Sequence, residues 1–387
     1  MALQNQKHLF SIPDHITYLN TAYMSPSFKA VEKAGIDAVL CKSQPFNISS
    51  SDFFEPVEEV KKLFAQLVEV EDYHRIVTIP SVSYGIANVA NNIHLNKNDE
   101  IIVLEEQFPS NVYSWHNIAQ KYGAKLITIP IPKSSEHIAK QWSLDILNAI
   151  NEKTAVVAMA PIQWSNGMLF DIKAIREKTK QNKALLVIDG SQSVGVLPFS
   201  VKALQPDALV CAGYKWLFGP YASGYAYYGS YFDNGMPIEH SWLNRLHSEN
   251  FAGLTKYEAE FKPLANRYAM GESSNFIAIP MQKEALKQII AWTPKAIQEY
   301  CKEISGDAIQ DLKNLGCQIE DENDRAHHLF GIKLPEDLEI NHLKSLLKEH
   351  QIYVSFRGRF IRISCHLFNT KEDFKKLVKC MDIALKK

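Results

Sequence analysis

Two residues with the chemistry of an acid and an amine each follow a short apolar run in the middle of the chain. Residues 184–188 form a continuous apolar run that stops at Asp189, and residues 208–212 form a second run that leads into the segment GYKW, which contains Lys215. Runs of this length are typical of strands that are buried on both faces of an α/β sheet. If the two strands are parallel neighbours, Asp189 and Lys215 emerge at the carboxyl edge of the sheet, where open α/β folds bind ligands.

An acid and an amine at one sheet edge suit a carbonyl cofactor. Pyridoxal phosphate (PLP) requires a lysine for its Schiff base and a carboxylate that keeps the pyridine nitrogen protonated, so that the ring can accept electrons from a substrate carbanion. Each residue alone also has an ordinary interpretation, because Asp189 could cap the next helix and Lys215 could be one of many solvated lysines. The two residues together favour a PLP site.

Composition narrows the class of protein. With 387 residues, 46% of them hydrophobic, the chain can form one large domain and a smaller one. The formal net charge of −1 provides no overall field that would attract nucleic acid or an anionic membrane. The six cysteines are scattered without a C-x-x-C pair, as is typical of reduced thiols, and no metal-site spacing is present. The first ten residues lack an apolar signal core and no apolar run could cross a bilayer, so we expect a soluble cytoplasmic protein without a metal.

Apolar runs alternate with helical patterns over the first 230 residues. The predicted strands cover residues 74–79, 100–104, 125–130, 154–160, 184–188, 208–212 and 223–229, and the predicted helices cover 52–68, 144–150 and 172–180. This alternation indicates a mostly parallel sheet that is covered on both faces. No G-x-G-x-x-G follows any predicted strand, which argues against a nicotinamide or flavin site.

The last hundred residues have a different pattern. A helical tract is predicted from Pro280 to about Leu315, and the elements predicted after it are a strand at 328–334, a helix from 341, strands at 352–356 and 360–364, and a helix from 371. These elements indicate a smaller α+β unit. His327 and His328 are adjacent in a predicted strand and would point to opposite faces, so they are not expected to bind one metal.

Residues that follow other predicted strands are candidates to complete the site. Ser81, Val82 and Ser83 lie where the first predicted strand turns into a helix, and hydroxyls with free N–H groups there favour a phosphate, although serine is also a good N-cap. Phe108 could offer a flat face to a planar ligand or could be an ordinary core residue. Residues 18–26 (YLNTAYMSP) could lie against a ligand through their backbone or form a surface turn.

The chain resembles the class V aminotransferase family of fold type I PLP-dependent enzymes, which includes cysteine desulfurases, kynureninase and isopenicillin N epimerase. The resemblance covers nearly the whole chain and rests, in order, on YLNTAYMSP, VSYGIAN, EEQFPSNVYSW, VIDGSQSVG, GYKW and FIRISCHLFNT. It implies a mostly parallel central sheet with helices on both faces and a smaller α+β C-terminal domain. Residues 1–20 would pack with the small domain, 21–262 would form the PLP-binding domain and 263–387 the small domain. A homodimer with the active site at the subunit interface is also implied.

The resemblance implies roles for individual residues. Lys215 would be the Schiff-base lysine and general base, and Asp189 would pair with the pyridinium nitrogen. The other implied cofactor contacts are those of the phosphate with Ser83 and Val82, of the ring with Phe108 and of the phenolic oxygen with Gln192. Arg362, in FIRIS, falls where the family has an arginine for the substrate carboxylate, which a planar guanidinium can bind bidentately. Tyr23 is a further candidate for substrate binding.

The chain departs from the family pattern at three places. Many members have Ser-x-His-Lys where this chain has AGYK at 212–215, so the phosphate-binding serine is absent and the Tyr214 hydroxyl would replace the histidine. At the glycine-threonine phosphate contact, often donated across a dimer, the chain has GESSN at 271–275, and Ser273 is the candidate. Cysteine desulfurases carry a nucleophilic cysteine on a mobile loop, whereas residues 353–364 predict a tight turn without cysteine, so we do not expect a persulfide mechanism.

These residues predict an aminotransferase that acts on an amino acid or amine. A PLP-dependent lyase of the kynureninase or cysteine/selenocysteine lyase kind, or an epimerase, would use the same substrate carbanion, and a non-catalytic PLP-binding protein is a third reading. The identity of the substrate stays open. Arg245, Arg267 and Arg357 could contact a second substrate carboxylate or phosphate, or form salt bridges at a subunit interface, which we favour for Arg267.

Overall fold

The computed structural model describes residues 3–133, 137–336 and 338–386. The strands are β1 (Thr17–Tyr18), β2 (Ile76–Ile79), β3 (Glu100–Leu104), β4 (Lys125–Ile129), β5 (Thr154–Met159), β6 (Leu185–Asp189), β7 (Ala208–Ala212), β8 (Gly224–Tyr228), β9 (Leu329–Lys333), β10 (Ile352–Tyr353), β11 (Ser355–Arg357) and β12 (Phe360–Ser364). The α-helices are α1 (Lys29–Lys42), α2 (Glu55–Leu67), α3 (Val82–Asn91), α4 (Tyr113–Tyr122), α5 (Ile138–Ala149), α6 (Ile172–Gln181), α7 (Val201–Leu204), α8 (Ala278–Trp292), α9 (Pro294–Asn314), α10 (Ile340–Glu349) and α11 (Lys371–Leu385).

A seven-stranded sheet forms the centre of the molecule. Its strand order is β2-β8-β7-β6-β5-β3-β4, and only β8 runs antiparallel to its neighbours. The strands β6 and β7 are parallel neighbours, with Asp189 opposite Val210 in the register. The carboxyl ends of the parallel strands therefore meet at one edge, as the apolar runs predict, and the α/β fold class is confirmed.

Helices cover both faces of this sheet because its strands are apolar on both sides. Along β6, Leu186 and Ile188 belong to one buried apolar cluster, whereas Val187 belongs to a second cluster on the opposite face. Successive side chains of a strand point to opposite faces, so a continuous apolar run needs a cover on each of them. The two cores hold the sheet rigidly between the helical layers.

The C-terminal part has a sheet of its own. The strands β11, β12 and β9 form an antiparallel sheet in that order, and the helix α11 packs against both α9 and α10. In this sheet Arg362 lies opposite Gly331. The short strand β1 pairs in parallel with β10, so the N-terminal segment contacts the C-terminal part. The domain boundaries at residues 20 and 262 stay predictions.

Several elements differ from the sequence prediction. The predicted helical tract after Pro280 consists of two helices, α8 and α9, because Thr293 has a φ of 64° and cannot continue a right-handed helix. The helices α1, α4 and α7 were not predicted. In α1 the residues Ile36 and Leu40 are exposed, so no clean apolar stripe marks the helix. The pair His327–His328 precedes β9 and does not lie within it, which corrects the predicted strand start.

Within the described ranges, no helix is both long and apolar enough to cross a membrane.

Candidate active site

A cavity of about 300 Å³ opens at the carboxyl edge of the central sheet. Its wall is formed by the segments that follow five strands and by the loop before β8. The wall includes Ser81, Val82, Ser83, Phe108, Gln163, Trp164, Asp189, Ser191, Gln192, Tyr214, Lys215, Tyr221 and Ser223. Because parallel strands end at the same edge, side chains from distant parts of the sequence converge there.

Lys215 and Asp189 both face this cavity and are both buried. Burial lowers the pKa of Lys215 to about 8, an effect that the negative charge of Asp189 opposes and the positive charge of Arg362 reinforces. Burial raises the pKa of Asp189, while hydrogen bonds from Ser191 oppose the shift. One of these is the Ser191 N–H, which donates to Asp189 Oδ1 at 3.0 Å. An amine that loses its proton near pH 8 therefore shares the cavity with a buried carboxyl group.

Aromatic rings surround the Lys215 amine. The Nζ atom lies 5.3 Å from the centre of the Phe108 ring and 5.6 Å from the centre of the Tyr214 ring. The Phe108 ring is 38% exposed and meets Trp164 edge to face, with the ring centres 5.4 Å apart. Phe108 is therefore not an ordinary core residue, since one face of it is open to a planar ligand.

At the N-terminus of α3, one serine caps the helix and another faces the cavity. Ser81 is the N-cap residue, and its Oγ accepts the Tyr84 N–H at 3.1 Å. Ser83 Oγ lies 2.9 Å from Ser81 Oγ, on the cavity wall, where Val82 also lies. A Cβ atom on Gly85 would come within 2.6 Å of the Val210 side chain, so glycine allows this helix to approach β7 closely. The helix end therefore points N–H groups at the cavity, as anion sites do.

The N-terminal segment packs against the site and is not a surface turn. Gln192 Nε2 donates to the Ala22 carbonyl oxygen at 3.1 Å. The Ser25 N–H and hydroxyl both donate to the Tyr214 carbonyl oxygen, at 3.2 and 3.1 Å. Ala22 is buried, whereas Tyr23 is 59% exposed. The prediction that residues 18–26 could lie against the site is therefore favoured over a surface turn, although the contact of Ser25 with Tyr214 was not predicted.

Arg362 is fully enclosed next to the cavity but does not form its wall. Its guanidinium donates to the Trp164 carbonyl oxygen at 3.2 Å and to Ser355 Oγ at 3.5 Å, and its Nε–H has no partner. Burial, together with the nearby charge of Arg357, lowers the pKa of Arg362 to about 10. An unpaired donor on a buried cation is a costly arrangement that a bound carboxylate would relieve.

Ser273 does not lie in the wall of this cavity. It is buried beside a separate small cleft whose other members include Thr78, Lys61 and Asn266. Within one chain the Gly271 N–H is held by Glu239 Oε1 at 2.8 Å. The predicted phosphate contact of Ser273 therefore cannot be made to the cavity of its own chain.

Sequence reasoning also missed Gln163, Trp164, Tyr221 and Ser223, which complete the wall. The first two follow β5, and their place after a buried strand could have identified them as residues of the carboxyl edge. Tyr221 lies 4.7 Å from Tyr214, ring centre to ring centre, in the loop before β8, and nothing in its local sequence predicts that contact.

The residues of the wall fit pyridoxal phosphate. Lys215 supplies an amine with a lowered pKa, Asp189 a carboxyl group, Phe108 an open aromatic face, and the N-terminus of α3 with Ser83 a place for a phosphate.

Two curated proteins match most of the chain at low identity. The chain is 22% identical over 330 residues to the uncharacterized aminotransferase YcbU of Bacillus subtilis, a match that covers 84% of this chain and 82% of that protein. It is 23% identical to a probable cysteine desulfurase of Borreliella burgdorferi, over 95% of this chain and 87% of the relative.

Solved structures share the fold over almost the whole length. The apo cysteine desulfurase of Thermococcus onnurineus has a TM-score of 0.84 at 18% identity and covers 100% of both chains. A C-DES variant with glycine covalently linked to its PLP cofactor has a TM-score of 0.87 at 18% identity, over 97% of this chain and 99% of that one. Residues 47–377 match the aminotransferase class-V family, and the chain therefore belongs to that family of PLP-dependent enzymes.

Proposed function

We propose that the chain is an aminotransferase that acts on an amino acid or amine, with Lys215 as the Schiff-base lysine and general base. The observation that supports this most directly is the cavity that joins Lys215, with its lowered pKa, to Asp189. When bound, pyridoxal phosphate supplies an electron-accepting ring. The remaining chemistry belongs to the side chains of the protein.

Each of these side chains has a distinct task in the proposed reaction. Lys215 Nζ would accept the proton from the substrate α-carbon. Asp189 would supply a negative charge to the pyridine nitrogen, and Phe108 would offer its open face to the ring. Arg362 offers its unpaired N–H to the substrate carboxylate.

The positions of the cysteines support transamination over persulfide transfer. Among the described residues no cysteine forms part of the cavity wall. Cys365 follows Arg362 but is fully buried, with its thiol directed at the His327 carbonyl oxygen 3.7 Å away. The turn between β11 and β12 has two residues, Gly358 and Arg359, and is too short to carry a mobile loop. Cytoplasmic location, inferred from the scattered cysteines, stays a prediction.

A lyase or epimerase is the second candidate, because neither needs a cysteine and the structurally similar C-DES is a cystine C–S lyase. Product analysis separates the outcomes. Mixing the cofactor-loaded protein with a panel of amino acids in a single turnover should yield a keto acid and the aminated cofactor. Alanine or a racemised amino acid, with the cofactor unchanged, would instead support the second candidate.

We also propose a homodimer whose subunits share the two active sites. Ser273 lies outside the cavity of its own chain, so its predicted phosphate contact requires a second copy. The α1 residues Ile36, Val39 and Leu40, together with Phe46, expose apolar side chains that a second copy could cover. Light scattering should give twice the mass of the chain, and a mixture of Lys215→Met and Ser273→Asp subunits should regain activity. A fully active monomer would contradict the proposal.

A further inference from the structure

Two arginines lie against the same aromatic ring at the edge of the cavity. The guanidinium carbons of Arg357 and Arg362 lie 5.2 and 5.7 Å from the centre of the Trp164 ring, which forms part of the cavity wall. They come from the paired strands β11 and β12, joined by the two-residue turn. The short hairpin therefore brings two planar cations to one tryptophan.

No acid in the described ranges neutralises this pair. Neither guanidinium forms a salt bridge there, although Arg75 and Arg176 are paired with Asp233 and Asp207 elsewhere. Arg357 Nη1 donates only to the carbonyl oxygen of its neighbour Phe356, at 2.7 Å. Two like charges near each other are unfavourable unless an anion joins them, and the burial of Arg362 increases that penalty.

One substrate carboxylate would satisfy Arg362 but would leave Arg357 unpaired. The other two arginines of open role are engaged elsewhere, since Arg267 donates to the Gly235 carbonyl oxygen at 3.0 Å and Arg245 lies 3.8 Å from the centre of the Phe261 ring. Neither of them contacts Trp164. Arg357 is therefore the one of the three that is placed to meet a substrate.

We propose that Arg357, stacked on Trp164, forms a second anion subsite and that the substrate is a dicarboxylic amino acid. This inference rests on the proposed function, in which Arg362 binds the first carboxylate. A guanidinium fork matches a carboxylate bidentately, and the aromatic ring holds the fork in place. The cavity of about 300 Å³ must also hold the cofactor, so a short side chain with a terminal carboxylate fits better than a bulky one.

Non-reacting probes test the subsite without relying on turnover. Calorimetric titration of the cofactor-loaded protein with glutarate and with butyrate compares two acids that differ in the second carboxylate. We expect glutarate to bind about tenfold more tightly, because a second charged hydrogen bond is formed. Arg357→Met should remove that difference while leaving butyrate binding unchanged, and Arg362→Met should weaken the binding of both acids.

Further variants guard against unfolding and against nonspecific charge effects. Arg357→Lys keeps the charge without the planar fork and should retain only part of the preference. Arg359→Met is the matched control, because Arg359 lies in the same turn but donates to the Pro335 carbonyl oxygen, and the preference should survive it.

Three results would overturn the proposal of a dicarboxylic substrate. The first is equal binding of glutarate and butyrate by the unaltered protein. The second is a similar loss of affinity for both acids in Arg357→Met. The third is tighter binding of 3-phosphonopropionate than of glutarate, which would indicate that the second group of the substrate is phosphate-like. Failure of the proposed function would differ, since a single turnover would then leave the cofactor unaminated although the probes could still discriminate.

Discussion

The indole N–H of Trp216 donates to the side-chain oxygen of Gln192, with Nε1 and Oε1 2.7 Å apart. This bond occupies Gln192 Oε1, while Nε2 donates to the Ala22 carbonyl oxygen, and Gln192 forms part of the cavity wall. His328 contacts both residues. Its Nε2 lies 2.9 Å from the Gln192 backbone carbonyl oxygen, and its ring meets Trp216 edge to face. Burial lowers the pKa of His328 to about 3, so the ring is neutral and its Nε2–H donates. Trp216 thus determines which end of the Gln192 amide a ligand meets.

Replacing Trp216 should change the cofactor environment without touching the cofactor itself. In Trp216→Phe the Gln192 oxygen loses its donor and the amide can turn over, so a phenolic oxygen in the cavity loses an N–H donor. A donor stabilises the ionised oxygen, so its loss should raise the pH midpoint of the cofactor's visible absorbance and weaken cofactor binding about tenfold. Trp292→Phe, at a buried tryptophan outside the cavity wall, is the control. Equal midpoints in both variants would contradict this role of Trp216.

The pKa of Lys215 sets the pH dependence of cofactor attachment. Only the neutral amine attacks an aldehyde, so the rate of attachment to the apo-protein should rise with pH and level off above about 8. The rate is followed by absorbance, and borohydride trapping followed by mass spectrometry should locate the cofactor on Lys215. A rate that still climbs steeply at pH 10 would mean that the amine keeps its usual pKa.

The two charges near Lys215 should move this midpoint in opposite directions. Asp189 favours the charged amine, so Asp189→Asn should lower the midpoint. Arg362 disfavours it, so Arg362→Met should raise the midpoint. The same rate measurement on both variants checks the signs, and a shift of both in one direction would be inconsistent with this electrostatic assignment.

The strands that position the site could be predicted because their side chains are apolar on both faces. The predicted run at 208–212 is β7 residue for residue, and Asp189 ends β6 as the stop of the apolar run indicates. Helices that expose apolar residues, such as α1, do not show an apolar stripe on one face, so the sequence pattern does not identify them. The break at Thr293 had a sequence signal that the single-helix prediction overlooked, because Pro294 cannot continue α8 and Thr293 caps the start of α9.

Residues that act through side chains at strand ends were within reach of sequence reasoning, whereas long-range contacts were not. Lys215 and Phe108 follow apolar runs and lie on the cavity wall. Ser25 contacts Tyr214 across 189 positions of the chain, and Trp216 reaches back to Gln192. Contacts of this kind are set by how the strands are ordered in the sheet, which spacing along the sequence does not encode.

We expect Ser81 to have a structural role and Ser83 to have a ligand-binding role. Ser81→Ala removes the N-cap of α3 and should lower the free energy of unfolding by about 1 kcal/mol. Ser83→Ala leaves the cap in place and should weaken cofactor binding about tenfold with little change in the stability of the apo-protein. Thermal unfolding and cofactor titration on both variants test this. If the two variants behave alike, the division of roles is wrong.

Removing the Lys215 amine should stabilise the apo-protein. Folding lowers the pKa of Lys215 from its usual 10.5 to about 8, so at neutral pH the folded state carries a buried ammonium that water solvates better in the unfolded chain. Lys215→Met keeps the length of the side chain without the charge and should raise the free energy of unfolding at pH 7 by about 2 kcal/mol.

The stabilising effect of Lys215→Met should depend on pH. Between about pH 8 and 10.5 the unfolded chain binds more protons at this site than the folded one, so the stability of the unaltered protein rises with pH and the advantage of Lys215→Met fades across that window. The surface variant Lys140→Met should leave the unfolding temperature unchanged at every pH. A Lys215→Met protein that is less stable than the unaltered chain at pH 7 would mean that the amine is not desolvated. Removing a solvated ammonium does not raise the free energy of unfolding.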